Sequence, residues 1–259
     1  MMRFLIPLIV APVTLAAGGV FDDADVVFLG ELHDNRAHHI RQADHVAMLE
    51  PTALVFEMLT QAQADLVTPD LVADADALEA ALDWNASGWP DFSMYYPIFA
   101  AAPEAVFYGA AVPRDVARKA MADGLMSGFR GSAEDFGLTD PLPQEQQVAR
   151  EALQLAAHCD AMPEEMLPVM VDIQRLRDAE LAYSALQAVE AHGAPVVVIT
   201  GNGHARKDWG APVYLQAAAP GLNIAALGQG EPDSPPQGQF DHVEFSPPAD
   251  RDDPCDAFR

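Results

Sequence analysis

The chain has 259 residues, half of them hydrophobic, and carries 39 acidic against 14 basic side chains for a formal net charge of −25. That length is enough to bury one sizeable core, and that charge repels phosphate backbones and anionic lipid headgroups, which excludes nucleic acid as a partner. The 17 glycines and 21 prolines are scattered, so collagen-like and low-complexity classes are excluded too.

The chain opens with "MMRFLIPLIVAPVTLAAGGVF": Arg3, an apolar run from Phe4 to Leu15 broken by Pro7 and Pro12, then small residues. This is the anatomy of a secretory signal peptide, assigned to residues 1–18. The run is too short for a membrane-spanning helix, and no later segment is apolar enough, so no transmembrane segment is expected. No cysteine follows the run, so a lipid anchor is not expected. The mature protein, residues 19–259, reads as a single domain outside the cytoplasm, periplasmic or secreted. In such an oxidising compartment Cys159 and Cys255 read as a disulfide; the alternative is a pair of inert thiols.

"VVFLGE" (26–31) is an unbroken apolar run, the mark of a strand buried on both faces, and a helix is predicted from about Arg36 to Leu49. On that helix Ile40, Ala43, Val46 and Ala47 share one arc and are predicted to face the sheet. His38, Gln42, His45 and Leu49 lie on the opposite, exposed arc. "ALVFEM" (53–58), "AVFYGAAV" (105–112) and "APVVVITG" (194–201) repeat the strand pattern. Helices are predicted over about 61–82, 94–102, 114–122 and 144–192, and "PVYL", "NIAALG" and "DHVEFS" are candidates for further strands. Strands alternating with helices give the fold class: α/β, a mostly parallel sheet flanked by helices, with a smaller helical lobe formed by insertions at about 61–101 and 124–168.

In such sheets ligands gather outside the carboxyl ends of the strands. There the first strand delivers Gly30, Glu31, His33 and Asp34, the second Glu57, the third Pro113 and Arg114, and the fourth Gly201, Asn202, Gly203 and His204. Two strand ends share a spacing, G-E-L-H and G-N-G-H, whose glycines are read as letting the backbone turn so that His33 and His204 point back over the rim. Two histidines and a carboxylate converging this way make His33, Glu57 and His204 candidate ligands for Zn, Mn or Fe. They serve equally as a general acid and base, or as histidines bonded to loop carbonyls. No serine-hydrolase elbow or phosphate-binding loop is present, and Arg206 replaces the third glycine of a dinucleotide fingerprint. "DWNASGWPDFSMYYPIF" (83–99) concentrates aromatics suited to a core or an apolar pocket. Its Tyr95 and Tyr96 are marked because tyrosine is a known axial ligand of haem iron.

The blocks "FLGELHDNRAHHIRQ", "LVFEML", "LDWNASGWPDFSMYYPIF", "VPRDVARKA", "QRLRDAELA" and "VVVITGNGHARKDWGAPVYL" extend over nearly all of the mature chain. In order and combination they resemble the ChaN family of haem-binding, iron-regulated proteins, in the Tiki/TraB superfamily. The resemblance implies haem as cofactor, a role in iron or haem uptake and a homodimer sharing haem through tyrosine and histidine, with Tyr95, Tyr96, His38 and His45 as the haem contacts. The Tiki branch implies the alternative, a metal-dependent hydrolase. In that reading the metal lies on His33, Glu57 and His204, Glu31 or Glu57 accepts the proton of a metal-bound water, and Arg114 stabilises an oxyanion.

Overall fold

The computed structural model describes residues 19–253 and residue 255; the assigned signal peptide, residues 1–18, lies outside the described residues. Six strands form one sheet: β1 (Val26–Glu31), β2 (Ala53–Phe56), β3 (Val106–Gly109), β4 (Val196–Gly201), β5 (Ile224–Gly230) and β6 (His242–Phe245), in the order β3-β2-β4-β1-β5-β6. Every pairing is parallel. The central strands β1, β2 and β4 are buried at every residue, which is why they read as unbroken apolar runs instead of alternating ones.

Among the described residues the α-helices are α1 (Arg36–Leu49), α2 (Gln61–Ala64), α3 (Pro69–Val72), α4 (Ala75–Ala81), α5 (Phe92–Ala101), α6 (Arg114–Asp123), α7 (Gln144–Ala157), α8 (Leu167–His192), α9 (Asn202–Ala205) and α10 (Ala211–Ala218). One face of the sheet packs Val26, Phe28, Val55 and Val198 against α8 and α10, through Leu176, Ala182 and Leu215. The other face packs Val27, Leu54 and Phe56 against the aromatic segment, where Trp84, Phe92, Tyr95 and Phe99 interlock. The aromatic density of residues 83–99 is therefore core.

Three expectations are corrected. The helix predicted over 61–82 is three short ones, because Thr60, Thr68 and Asp74 each cap a new N-terminus with a side-chain oxygen. "PVYL" is not a strand: it lies in α10, where Pro212 occupies the first turn. The third correction partly reverses α1: Val46 and Ala43 pack into the core as predicted, but the arc read as exposed is buried. His38, Gln42 and His45 are buried, whereas Ile40 is 49% exposed and Ala47 is exposed.

The reversal has a cause in the sheet. β5 pairs with β1 only as far as Leu29, so the carbonyls beyond that point need donors from elsewhere. Gln42 donates to the Leu29 carbonyl, Gln229 to those of Gly30 and His38, and the Leu32 amide donates to His38 Nδ1. His45 bonds Glu244 on β6. The polar stripe of α1 fills the gap between diverging strands, a demand that helical periodicity alone does not carry.

β3 ends on Gly109 for lack of room: a Cβ there would fall inside the Thr60 carbonyl group and against the Gln61 amide. Both are backbone atoms at the capped start of α2 and cannot swing aside. Gly109→Ala is expected to cost about 1–3 kcal/mol and to lower the melting temperature by about 2–4 °C for each kcal/mol, measured by calorimetry.

Candidate functional site

The carboxyl ends of β1, β2 and β4 bring together Glu31, His33, Glu57 and His204, as the parallel topology requires. They form two carboxylate–imidazole systems that meet at Gly201. In the first, Glu31 is 2% exposed. One of its oxygens accepts hydrogen bonds from His33 Nδ1 at 2.7 Å and from the Tyr95 hydroxyl at 2.9 Å. The other lies 3.3 Å from His39 Nδ1. Burial opposes ionisation of Glu31, but the hydrogen bonds and charges of His33 and His39 outweigh it and hold its pKa near 2. Burial likewise opposes charging His33, and the Glu31 hydrogen bond with the charges of Glu57, Glu31 and Asp34 lifts it to about 9.

The second system is centred on His204. Its Nδ1 is 2.6 Å from Asp178 of α8, and its Nε2 is 3.7 Å from Glu57. The other Glu57 oxygen accepts from the Thr200 hydroxyl at 2.6 Å and the Gly201 amide at 2.8 Å. Burial resists charge on His204, yet the carboxylates on either side raise its pKa. Burial also resists charge on Glu57, and His204, His33 and these two hydrogen bonds lower its pKa despite that.

Gly30 and Gly201 do not serve as turn residues: neither has positive φ. Their role is clearance. A Cβ on Gly201 would stand 2.9 Å from His33 Nε2, and one on Gly30 would stand 2.8 Å from the Leu227 carbonyl oxygen. Gly201 thus marks where the two systems come into contact, whereas Gly30 makes room for Asn202 and β5.

A cavity of about 320 Å3 opens beside Glu57, at the ends of β2 and β3. Met58, Trp89, Val112 and Leu181 give it apolar walls, and Arg114 and Arg177 line it as cations. Neither guanidinium makes a hydrogen bond or an ion pair among the described residues. Trp89 packs against His33 with ring centroids 4.9 Å apart and the planes tilted by 60°, so His33 stands beside the cavity. A second cavity, of about 230 Å3, lies on the far side of His204, between α7 and α8.

Tyr95, Tyr96, His38 and His45 are not gathered at either cavity. Tyr95 is fully buried, its hydroxyl bonded to Glu31, and burial together with the Glu31 charge pushes its pKa up. The Tyr96 hydroxyl donates to the Val72 carbonyl. His38 is fully buried against the Leu32 amide and the Gly230 carbonyl, and burial lowers its pKa. His45 is 6% exposed and bonded to Glu244. For divalent metals, no group of three or more His, Cys, Asp or Glu side chains among the described residues is arranged to hold an ion. His33 Nδ1 is taken by Glu31, His204 Nδ1 by Asp178 and one Glu57 oxygen by Thr200 and Gly201, which leaves the two Nε2 atoms and the second Glu57 oxygen on the rim side, with His204 Nε2 3.7 Å from that oxygen.

Sequence reasoning missed His39, Asp178 and Arg177. The signal for Asp178 was available in "RLRDAELA": a charged residue inside a stretch whose neighbours Leu176, Ala179 and Ala182 are all fully buried. Cys159 and Cys255 are joined in a disulfide, as expected for an oxidising compartment. No helix among the described residues is long and apolar enough to cross a membrane.

A family model described as haem-binding uptake, Tiki superfamily, ChaN, matches residues 20–215. Among solved structures, one described as cofacial heme binding to ChaN of Campylobacter jejuni is 19% identical over 81% of this chain and 83% of that one, with a TM-score of 0.56. The type III effector HopBA1 is 12% identical over 88% of this chain and 91% of the other, with a TM-score of 0.47. No curated protein matches.

Proposed function

The chain belongs to the ChaN family of haem-binding uptake proteins in the Tiki superfamily, and from that membership and the rim cavity we propose that it captures haem beside Glu57, outside the cytoplasm, for iron or haem uptake. One observation carries the location. In a chain with 39 acidic and 14 basic residues, two unpaired guanidiniums, Arg114 and Arg177, line a single apolar-walled cavity. That donor set fits the group: a macrocycle with an apolar face and carboxylate arms is held by Trp89, Met58 and Leu181 on its face and by Arg114 and Arg177 on its arms. His33 stands at the same edge beside Trp89, its charge paired with Glu31. Haem supplies the iron; the chain's residues bind, orient and neutralise it.

The cavity is near the lower end of the roughly 300–1,000 Å3 usual for small-molecule sites, so much of a macrocycle would project from it. A second haem or a second copy of the chain would cover the remainder, an arrangement in keeping with the cofacial haem described for the Campylobacter jejuni relative. Export is supported by the disulfide and by the signal-like first 18 residues.

The test is a haemin titration followed by the Soret band. Arg114→Glu and Arg177→Glu are each expected to weaken binding about tenfold, the loss of one charge-assisted contact of roughly 1.5–3 kcal/mol after solvent screening. Wild-type protein that leaves the haemin spectrum unchanged would sink the proposal. Binding that is indifferent to both charge reversals would move the seat away from this cavity.

A further inference from the structure

The tail after β6 doubles back across the rim of the sheet, and the contacts along it can be followed in order. The Ser246 amide donates to the Gly230 carbonyl at the end of β5. Asn35, in the turn after β1, donates to the Pro247 carbonyl, and the Ala249 amide donates to Glu231. Arg251 then reaches two carboxylates at once, Glu231 beyond β5 and Asp34 beside His33. Finally Cys255 is bonded to Cys159 just past the end of α7, the helix whose Gln154 and Ala157 line the second cavity together with Gly203 and His204. With strand order β3-β2-β4-β1-β5-β6, the tail therefore crosses the ends of β5 and β1 toward that of β4. The ends of β2 and β3, where the haem cavity opens, stay uncovered.

We propose that residues 247–253, tied down through Cys255, are a redox-released strap: with Cys159–Cys255 intact the strap confines the rim site to the β2–β3 half, and reduction of that disulfide by a dithiol extends the site toward β1 and β4. In that step the dithiol gives up two electrons and two protons, its sulfurs pairing as Cys159 and Cys255 become thiols. Both cysteines are half-buried, so a reductant reaches them. The disulfide is what holds the strap's far end, across a sequence separation of 96. Without it the last anchor is Arg251, a side chain 31% exposed that pairs with Asp34 at 50% exposure and with Glu231 at 7%, so the strap's end is then held by partly solvated ion pairs in place of a covalent bond. Charge then favours departure, since Asp250 and Asp252 flank that arginine on a chain of net charge −25.

The gate rests on the haem reading for what it admits, so the experiment reads the strap and the ligand separately. Full-length oxidised protein, the same protein in dithiothreitol, and Cys159→Ser/Cys255→Ser are compared by hydrogen exchange over residues 246–253 and 31–36, and by haemin titration. Both reduced forms are expected to exchange faster in both segments and to bind haemin about tenfold more tightly, within the ordinary range of coupling between two sites. Arg251→Gln, which keeps the disulfide, is expected to fall between. Unchanged exchange on reduction overturns the strap, and faster exchange with unaltered haemin affinity overturns the gate. If no form shifts the Soret band, the haem reading fails on its own, and exchange at 31–36 decides the strap: faster supports it, unchanged overturns it.

Discussion

Glu31→Ala is expected to cost about 3–5 kcal/mol of folding stability, the usual penalty for removing one partner from a buried charge pair. That is a large share of the roughly 5–15 kcal/mol a domain has in total. The reason is the number of groups that converge on this carboxylate: His33, His39 and the Tyr95 hydroxyl turn toward it from the turn after β1, from α1 and from α5, and each loses this partner in the variant. The pairing also fixes a pH profile. Glu31 is depressed to about 2, so its contribution is complete above the ordinary carboxylate value of 4.5 and is lost as pH falls through about 2. His33 is raised to about 9, so its contribution is complete below 6.5 and is lost as pH rises through about 9. Both are intact between 4.5 and 6.5, and the two titrations largely report one contact and are not added. The His33 side chain is 36% exposed, and solvent screening reduces the loss at high pH to about 1–2 kcal/mol. Urea unfolding at about pH 5.5 and about pH 9.5 measures that loss in the wild type. Glu31→Gln keeps the volume and removes the charge, so its stability should change far less over the same interval. A wild-type profile that is level across this range contradicts the pairing.

The sheet was legible because its central strands are buried on both faces and leave long apolar runs, and because parallel strands place their carboxyl ends on one rim. That is how His33, Glu57 and His204, far apart in the chain, could be named as neighbours. Helix α1 was misread for the opposite reason. Its orientation is set by carbonyls of β1 that lose their ladder partners beyond Leu29, a property of strand divergence and not of any residue in the helix. The haem contacts inferred from resemblance, Tyr95 and His38 among them, are residue types suited to iron, but type does not reveal direction, and both are turned inward. Arg177 escaped notice because an arginine on a long helix looks solvated until the cavity beside it is seen.

Asp178→Leu is the second large effect, about 3–5 kcal/mol of stability, since Asp178 is 2% exposed and serves two cations. His204 Nδ1 lies 2.6 Å from one of its oxygens and Arg150 4.0 Å from the other. Arg150 is itself 7% exposed, and its Nε finds no hydrogen-bond partner in the interior; its other contacts, Gln146 and the Trp209 carbonyl and ring, are neutral, so without Asp178 no carboxylate among the described residues faces its charge. If that stranded charge is a main source of the cost, Arg150→Met/Asp178→Leu should be more stable than the sum of the two single variants implies, as coupled neighbours are. Strict additivity would show that the 4.0 Å pair contributes nothing. Asp178→Asn separates the second cation. It keeps the shape and removes the charge that, after Glu57, holds the His204 pKa up. The imidazole should therefore titrate at lower pH, followed by its ring-proton resonances. An unchanged titration would mean that Asp178 positions the ring without setting its charge, and stability alone would then measure its role.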